Sequence, residues 1–183
     1  MFTQQLPLEV FETQREFIRV FEPPLDFTFW AKLMKEEAGE LERAHLDEPI
    51  ENILKELGDT IYVTAGFYNT MPLHPSEVLT EEKHAEIEEI FEHCCAVVSK
   101  VTNDHRIPLD IVVQAFILVH ASNMTKLAED GSVIRSDGSD GKPVGKVLKG
   151  PNYQEPDMKP LVTKLEEYHA AQIDKAIKGD TDA

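Results

Sequence analysis

Two pairs of acidic residues carry the first chemical signal in this sequence. Glu37 and Glu40 lie three residues apart, and so do Glu56 and Asp59. Residues three apart share one face of a helix, where like charges repel by roughly a few tenths of a kcal/mol. Both pairs sit beside the apolar stripe of their segment, where a lone charge is costly. If the two segments pack as an antiparallel hairpin, four carboxylates converge, and they cannot all stay ionised without a cation. A hard divalent ion with oxygen ligands, Mg²⁺ or Mn²⁺, would resolve the conflict. Such an ion leaves positions for water and phosphate oxygens and polarises a phosphoryl group.

The plain alternative is that ExxE patterns arise easily on the solvated faces of a Glu-rich chain. Repetition on consecutive segments argues against it, and so do Gly39 and Gly58, one inside each pair. Each glycine costs roughly 1 kcal/mol against alanine in a helix interior. Close backbone approach around a site would explain them, and so would accidental drift.

The cations that would complement a polyphosphate come later in the chain. Residues 129–157 hold five of the nine glycines, with Lys142, Lys146, Lys149 and Arg135, and Lys126 lies just before them. Loops longer than about 12–15 residues are usually functional or disordered. The bland reading of these lysines is solubility. Their combination with acidic helices is the informative part.

The elements that would hold these groups are helical. Apolar spacing of three and four predicts a helix over 8–21, ended by Pro23-Pro24. Asp26 then caps a second helix with the stripe Phe27, Trp30, Leu33, Met34, Glu37, Leu41, Ala44. Pro49 opens a third, with Ile50, Ile53, Leu57, Ile61 and Ala65, ending near Met71-Pro72. A fourth is expected from Glu81 to Val101, a fifth from Pro108 to about Leu127 and a sixth from Lys159 to Ile177. Within the glycine-rich loop, Val133–Ile134 and Val147–Leu148 suggest a short hairpin. The expected fold class is all-α, a helical bundle with one long Gly/Lys-rich loop.

Composition narrows the class. The 183 residues fit one domain by the length prior of roughly 150 per domain, here 1–178, with 179–183 as a flexible acidic tail. Eighteen basic against 34 acidic residues give a net charge of −16. That argues against nucleic-acid polymers and anionic membrane surfaces as partners. An apolar share of 42% permits a full core. No apolar run reaches membrane-span length, and no secretory signal is visible at the N-terminus. Cys94 and Cys95 are adjacent and exclude a disulfide framework, so a reducing, cytoplasmic setting is expected.

The acidic pairs, with fifteen residues between Glu40 and Glu56, resemble the ExxE…ExxD signature of the all-α nucleoside triphosphate pyrophosphohydrolases, the MazG-like superfamily. A second match is more specific. The stretch Val119-His120-Ala121-Ser122-Asn123-Met124-Thr125-Lys126-Leu127 is followed by Asp130-Gly131, by GKVLKGPNY over 145–153, and by Pro156-Asp157. In this order these segments resemble the phosphoribosyl-ATP pyrophosphohydrolase-like subgroup, including MazG-like enzymes of phages. The resemblance covers roughly residues 8 to 160.

It implies cleavage of a nucleoside triphosphate between the α and β phosphorus, giving monophosphate and pyrophosphate. It implies Glu37, Glu40, Glu56 and Asp59 as ligands of Mg²⁺ or Mn²⁺, with Glu36 as general base or further ligand beside Glu37. Asn123, Lys126, Lys146, Lys149 and Tyr153 would contact the nucleotide, completing the site from loop 128–157. A homodimer or homotetramer is implied as well. A purine such as dGTP or GTP is the first expectation for the base, with dUTP or dCTP as competitors. Trp30 and Phe27 could stack on a base, although their place on the apolar stripe suits a core role. The chain departs from compact relatives in the helix around 81–102, in the insertion Ser139–Val144, and in Ala121, where a basic residue is expected.

Two rivals come from other classes. Glu42-x-x-His45 and Glu166-x-x-His169 are the pattern of a ferritin-like di-iron carboxylate bundle, but Glu42 falls off its helix's stripe. An acidic helical interaction module without catalysis would show no stabilisation by Mg²⁺ and nucleotide. Of the remaining histidines, His120 stands one turn before Asn123.

Overall fold

The computed structural model describes residues 5–73, 79–139 and 141–179. Of the expected tail 179–183, Gly179 is the last residue of the sixth helix and 180–183 lie outside these residues, as does His74. Among the described residues six helices follow in order: α1 (Leu8–Phe21), α2 (Phe27–Asp47), α3 (Ile50–Thr70), α4 (Glu81–Asp104), α5 (Leu109–Met124) and α6 (Lys159–Gly179). The chain is all-α. No single helix among the described residues is long and apolar enough to cross a membrane.

Local chemistry sets the boundaries. The α1 helix stops at Glu22, which takes the left-handed conformation (φ 43°) before the two prolines. Asp26 caps α2 through both carboxylate oxygens, accepting from the Thr28 amide and hydroxyl at 2.8 Å each. Pro49 and Pro108 precede α3 and α5, and Thr80 caps α4.

Two helix ends and the expected hairpin differ from the sequence expectation. The α4 helix continues past Val101 to Asp104, because the Thr102 hydroxyl bonds back to Val98 O at 2.8 Å and Arg106 (φ 50°) is where the chain turns. The α5 helix stops at Met124, three residues before the expected Leu127. There the chain tightens into short turns, Lys126 N to Asn123 O at 3.1 Å, while the Thr125 hydroxyl is taken by Ser122 O and Gln154 N. The expected hairpin shrinks to one antiparallel bridge, Arg135 with Val147.

The α3 helix lies at the centre. It packs on α1, α2, α4, α5 and α6, and from Ile53 to Phe67 nearly every side chain is buried. A helix apolar round most of its circumference has to be enclosed. Trp30 of α2 packs with its ring on α3 at Gly66 and donates its indole N–H to Pro24 O at 3.1 Å. Phe27 is likewise core, tilted on Phe67.

The long loop is fastened rather than loose. Arg135 donates to Phe21 O, and Val147 and Met158 are buried in the core. Gly145 has φ 88°, and a Cβ there would sit 2.7 Å from Pro24 Cγ. That contact lays the loop over the start of α2 and delivers the next residue, Lys146, to the acidic pairs.

The two helical glycines separate in role. A Cβ at Gly58 would lie 2.9 Å from Ala115 O and 2.8 Å from Val119 Cγ2, so α5 approaches α3 only because the side chain is absent. At Gly39 a Cβ would meet only Arg43 Nη1 at 3.6 Å, and nothing in the structure explains that glycine. Gly58→Ala is therefore expected to cost about 1–3 kcal/mol by forcing the helices apart. Gly39→Ala should gain about 0.5–1 kcal/mol of helix stability. Urea unfolding monitored by circular dichroism checks both, and similar effects at the two positions would contradict the close approach.

Candidate metal and polyphosphate site

The α2–α3 hairpin is antiparallel with a two-residue connection, so Glu37 on α2 faces Glu56 and Asp59 on α3. Carboxylate oxygens of these three residues lie within 4.8 Å of one another. The Thr60 hydroxyl, fully buried, donates to Glu56 O at 2.8 Å and lies 3.3 Å from Glu37 O, pinning the two backbones at this level. Glu56 Oε2 is buried without a hydrogen-bond partner. An orphaned buried carboxylate oxygen is costly, and here it belongs to an acidic triad. The donor set therefore fits a hard divalent cation.

The electrostatics say the same. Glu37 keeps only 14% of its side chain exposed. Burial, and next the charge of Asp59, push its pKa up to about 8. Burial also raises Glu56, against the hydrogen bond and charge of Lys55. Two lysines stand in as counter-charges. Lys55 Nζ lies 2.8 Å from Glu56 and 3.1 Å from Asp59, and these carboxylates more than offset burial, holding its pKa above the usual lysine value. Lys146, from the loop, reaches Glu36 at 2.9 Å and Glu37 at 3.8 Å.

Glu40 lies outside the triad. It lines the same cavity but pairs with Arg43 at 3.6 Å. Lys55 was missed in the sequence, although its place four residues before Asp59 on one helix face was a readable signal.

Beside the carboxylates opens a cavity of about 540 Å³, lined by Glu36, Glu37, Glu40, Lys55 and Asp59. Lys126, Lys142, Lys146 and Lys149 line the same cavity, with Asn123 and Tyr153. Burial lowers the Lys126 pKa to about 8. Lys149 Nζ sits 4.5 Å from the Tyr153 ring centroid and pairs with Glu155 at 2.6 Å, while the Tyr153 hydroxyl donates to the same carboxylate at 3.1 Å. A smaller apolar cavity adjoins the first, walled by Phe17, Phe29, Trp30, Leu33 and Tyr62, and sharing Glu37, Asp59, Asn123, Lys126 and Lys146. Trp30 is thus a core residue with an edge on this second cavity. Carboxylates and lysines lining one space can hold a cation and a polyphosphate together.

The two ExxH motifs do not assemble a centre. Glu42 lies 4.0 Å from His93, and His45 bonds His105, Lys100 and Asp104 instead. Among the described residues the only group of three or more metal-capable side chains is Glu37, Glu56 and Asp59.

Glu37 gives a test by pH. Its carboxyl holds a proton more tightly folded than unfolded, so native stability is lost as pH rises from 4.5 towards about 8. In EDTA, Glu37→Gln should gain stability relative to the unsubstituted chain across that window. Mn²⁺ should restore the unsubstituted chain at the upper end and act far less on the variant. Thermal unfolding against pH checks this, and a constant difference between the two proteins would contradict it.

No curated protein and no solved structure matches the chain. Residues 13–86, fewer than half of the chain but including α2, α3 and both acidic pairs, match the family model of phosphoribosyl-ATP pyrophosphohydrolase, consistent with the MazG-like group of all-α pyrophosphohydrolases.

Proposed function

We propose that this protein is a divalent-metal-dependent nucleoside triphosphate pyrophosphohydrolase, converting a ribo- or deoxyribonucleoside triphosphate to the monophosphate and pyrophosphate. The observation that carries the reading is one cavity lined together by Glu37 and Asp59 of the acidic triad and by Lys126, Lys146 and Lys149, with Glu56 completing the triad beside it. The family match over α2 and α3 supports a pyrophosphohydrolase acting on a nucleotide.

Glu37, Glu56 and Asp59, with Glu40 at the rim, would hold Mg²⁺ or Mn²⁺. When bound, the ion supplies charge neutralisation and polarises the phosphoryl oxygens. Lys126, Lys146 and Lys149 bind and orient the β and γ phosphates, and Tyr153 and Asn123 border the rest of the nucleotide. Phosphoryl transfer needs positioning and charge stabilisation more than covalent chemistry. Glu36 lines the cavity outside the triad, which suits it to take the proton from water. The water oxygen forms a bond to the α phosphorus. The bond from that phosphorus to the bridging oxygen breaks, and pyrophosphate leaves. The adjoining aromatic cavity, with Trp30 on its wall, is the place for the nucleoside. A purine triphosphate is the preferred reading, with dUTP and dCTP as alternatives of the same chemistry. Phosphoribosyl-ATP joins the panel because the matched family is named for it.

Two outcomes test this. With Mg²⁺ or Mn²⁺ and a panel of nucleotides, one preferred substrate should give monophosphate and pyrophosphate, not orthophosphate. Glu56→Gln should lower kcat by at least about a hundredfold, in line with losing a charge that acts on the transition state, while circular dichroism stays unchanged. Orthophosphate as the first product, or full activity in the variant, would refute the assignment.

The proposed assembly is a homodimer or homotetramer. Leu109 and Ile117 on α5 are 36% and 41% exposed, and Ile173 and Ile177 on α6 more so. A second copy covering them would bury apolar surface that a monomer leaves wet. Light scattering should give twice or four times the chain mass, and Ile117→Lys should lower it. A monomer would overturn this part alone.

A further inference from the structure

The lysines around the cavity do not stand alike towards the acids. Lys149 is bonded to Glu155 at 2.6 Å, and Lys55 meets both of its partners along one turn of its own helix. Lys55 touches Glu56 through Oε1, which leaves Glu56 Oε2 open to a cation beside it. Lys146 is placed differently. Its ammonium donates to Glu36 Oε2 at 2.9 Å and lies 3.8 Å from Glu37 Oε1. One lysine thus neutralises the α2 member of the triad and also the residue proposed to take the proton from water.

The backbone under this lysine is fixed. The Lys146 amide donates to Pro143 O at 3.0 Å, and its carbonyl accepts from Ser136 N at 2.8 Å. On either side, the Gly145 amide is bonded to Ser136 O and the Leu148 amide to Ile134 O. Val147, the next residue, is anchored in the core. What is left to move is the side chain, a flexible four-carbon stem that lines both cavities as well as reaching the acids. Its single charge has two possible seats, the carboxylates or an anion in the cavity. A divalent cation on Glu37 would set a like charge against the ammonium and repel it. Phosphates would offer charge-assisted hydrogen bonds in exchange.

We propose that Lys146 is a displaceable counter-ion that makes polyphosphate binding conditional on the divalent cation. While its ammonium holds Glu36 and Glu37, it is not available to phosphate. Once Glu37 is engaged by a cation, the lysine turns on its fixed backbone to the β or γ phosphate. Glu36 then loses its lysine donor and is free to accept from water. This rests on the metal and nucleotide reading above and adds an order to it: the cation binds before the nucleotide or together with it, and nucleotide alone finds Lys146 occupied. Coupling of this kind is reciprocal, so a bound polyphosphate tightens the cation by the same factor.

The first measurement uses the metal alone. Titration with Mn²⁺, followed by the electron paramagnetic resonance of the free ion, should show Lys146→Met binding it roughly tenfold more tightly than the unsubstituted chain, the ordinary worth of one charge-assisted hydrogen bond. Lys146→Arg keeps the charge and should bind no more tightly than the unsubstituted chain. Lys149→Met should change the affinity by less than about twofold, because a lysine bonded elsewhere acts on the triad only through screened distance. Equal tightening by both methionine variants would reduce the effect to net charge and overturn the proposal, as would no tightening by Lys146→Met. The second measurement asks where the lysine goes, using the α,β-methylene analogue of GTP, which has no bridging oxygen to cleave. With saturating Mg²⁺, Lys146→Met should bind it roughly tenfold more weakly than the unsubstituted chain, and in EDTA that gap should narrow several-fold. A gap of the same size in both conditions would make Lys146 a plain phosphate ligand and overturn the exchange. If Lys146→Met fails to fold, the unsubstituted chain decides. Mg²⁺ alone should then shift or broaden the Lys146 ammonium signal in nitrogen-15 NMR and leave that of Lys149 in place, and a Lys146 signal indifferent to Mg²⁺ would overturn the proposal. Absence of Mn²⁺ binding from every one of these proteins would refute the metal reading itself and this inference with it, whereas Mn²⁺ binding untouched by Lys146→Met would overturn this inference alone.

Discussion

Three partly buried carboxylates whose oxygens lie within 4.8 Å of one another are the constraint on which this structure turns. Burial of Glu37, Glu56 and Asp59 is unfavourable twice over, through lost hydration and through mutual repulsion. The chain answers from two directions. Lys55 comes from the same helix, one turn from Asp59, and needs no architecture beyond that helix. Lys146 comes from more than a hundred residues later. To bring it there the loop must be nailed to α1 and α2. Arg135 on Phe21 O, Gly145 against Pro24, and Val147 in the core do this. The ordered path of a long loop with almost no regular structure follows from the electrostatic need at its tip.

Because α3 is enclosed on nearly every side, its residues serve core and site at spacings of one or two positions. Leu57 and Ile61 are fully or almost fully buried in the core, Gly58 admits α5, Asp59 joins the triad, Thr60 ties α3 to α2, and Tyr62 faces the smaller cavity. Displacing α3 by a fraction of an ångström would move all of these together. Interiors are close-packed and transmit such shifts rather than absorbing them. The intolerance expected at Gly58 and the catalytic loss expected at Glu56 therefore arise from one rigid element.

Much of this was legible in the residues, for physical reasons. Helical periodicity and proline and Asp caps placed the helices to within a few residues, since those signals act locally. The acidic pairs were legible because charge beside an apolar stripe conflicts with burial. The ends of α4 and α5 were not, because Thr102 and Thr125 settle them through hydroxyl bonds that hydropathy does not register. Glu40 and Glu56 look equivalent in sequence, yet one sits half-exposed beside Arg43 and the other, more buried, beside Lys55. Trp30 was readable both as core and as a stacking platform, and its core contacts with Pro24 and Gly66 exist only in three dimensions. His120 drew notice by its place before Asn123, but its partners, Glu16 and Tyr62, come from α1 and α3 and no spacing rule connects them.

The charge balance of the whole chain bears on how a polyphosphate could enter. A net charge of −16 repels an anion from afar, although screening confines that repulsion to about 8 Å at physiological ionic strength. Inside the cavity, the nearby lysines are already engaged. Lys55 and Lys146 neutralise the triad and Glu36, Lys149 pairs with Glu155, and burial makes Lys126 easy to deprotonate. Phosphates would recruit Lys146 only if some other positive charge took its place on Glu37. In the proposed function that charge enters with the substrate or before it. The polyphosphate then takes over a lysine that the carboxylates can spare, and cation and anion bind in mutual support rather than in competition.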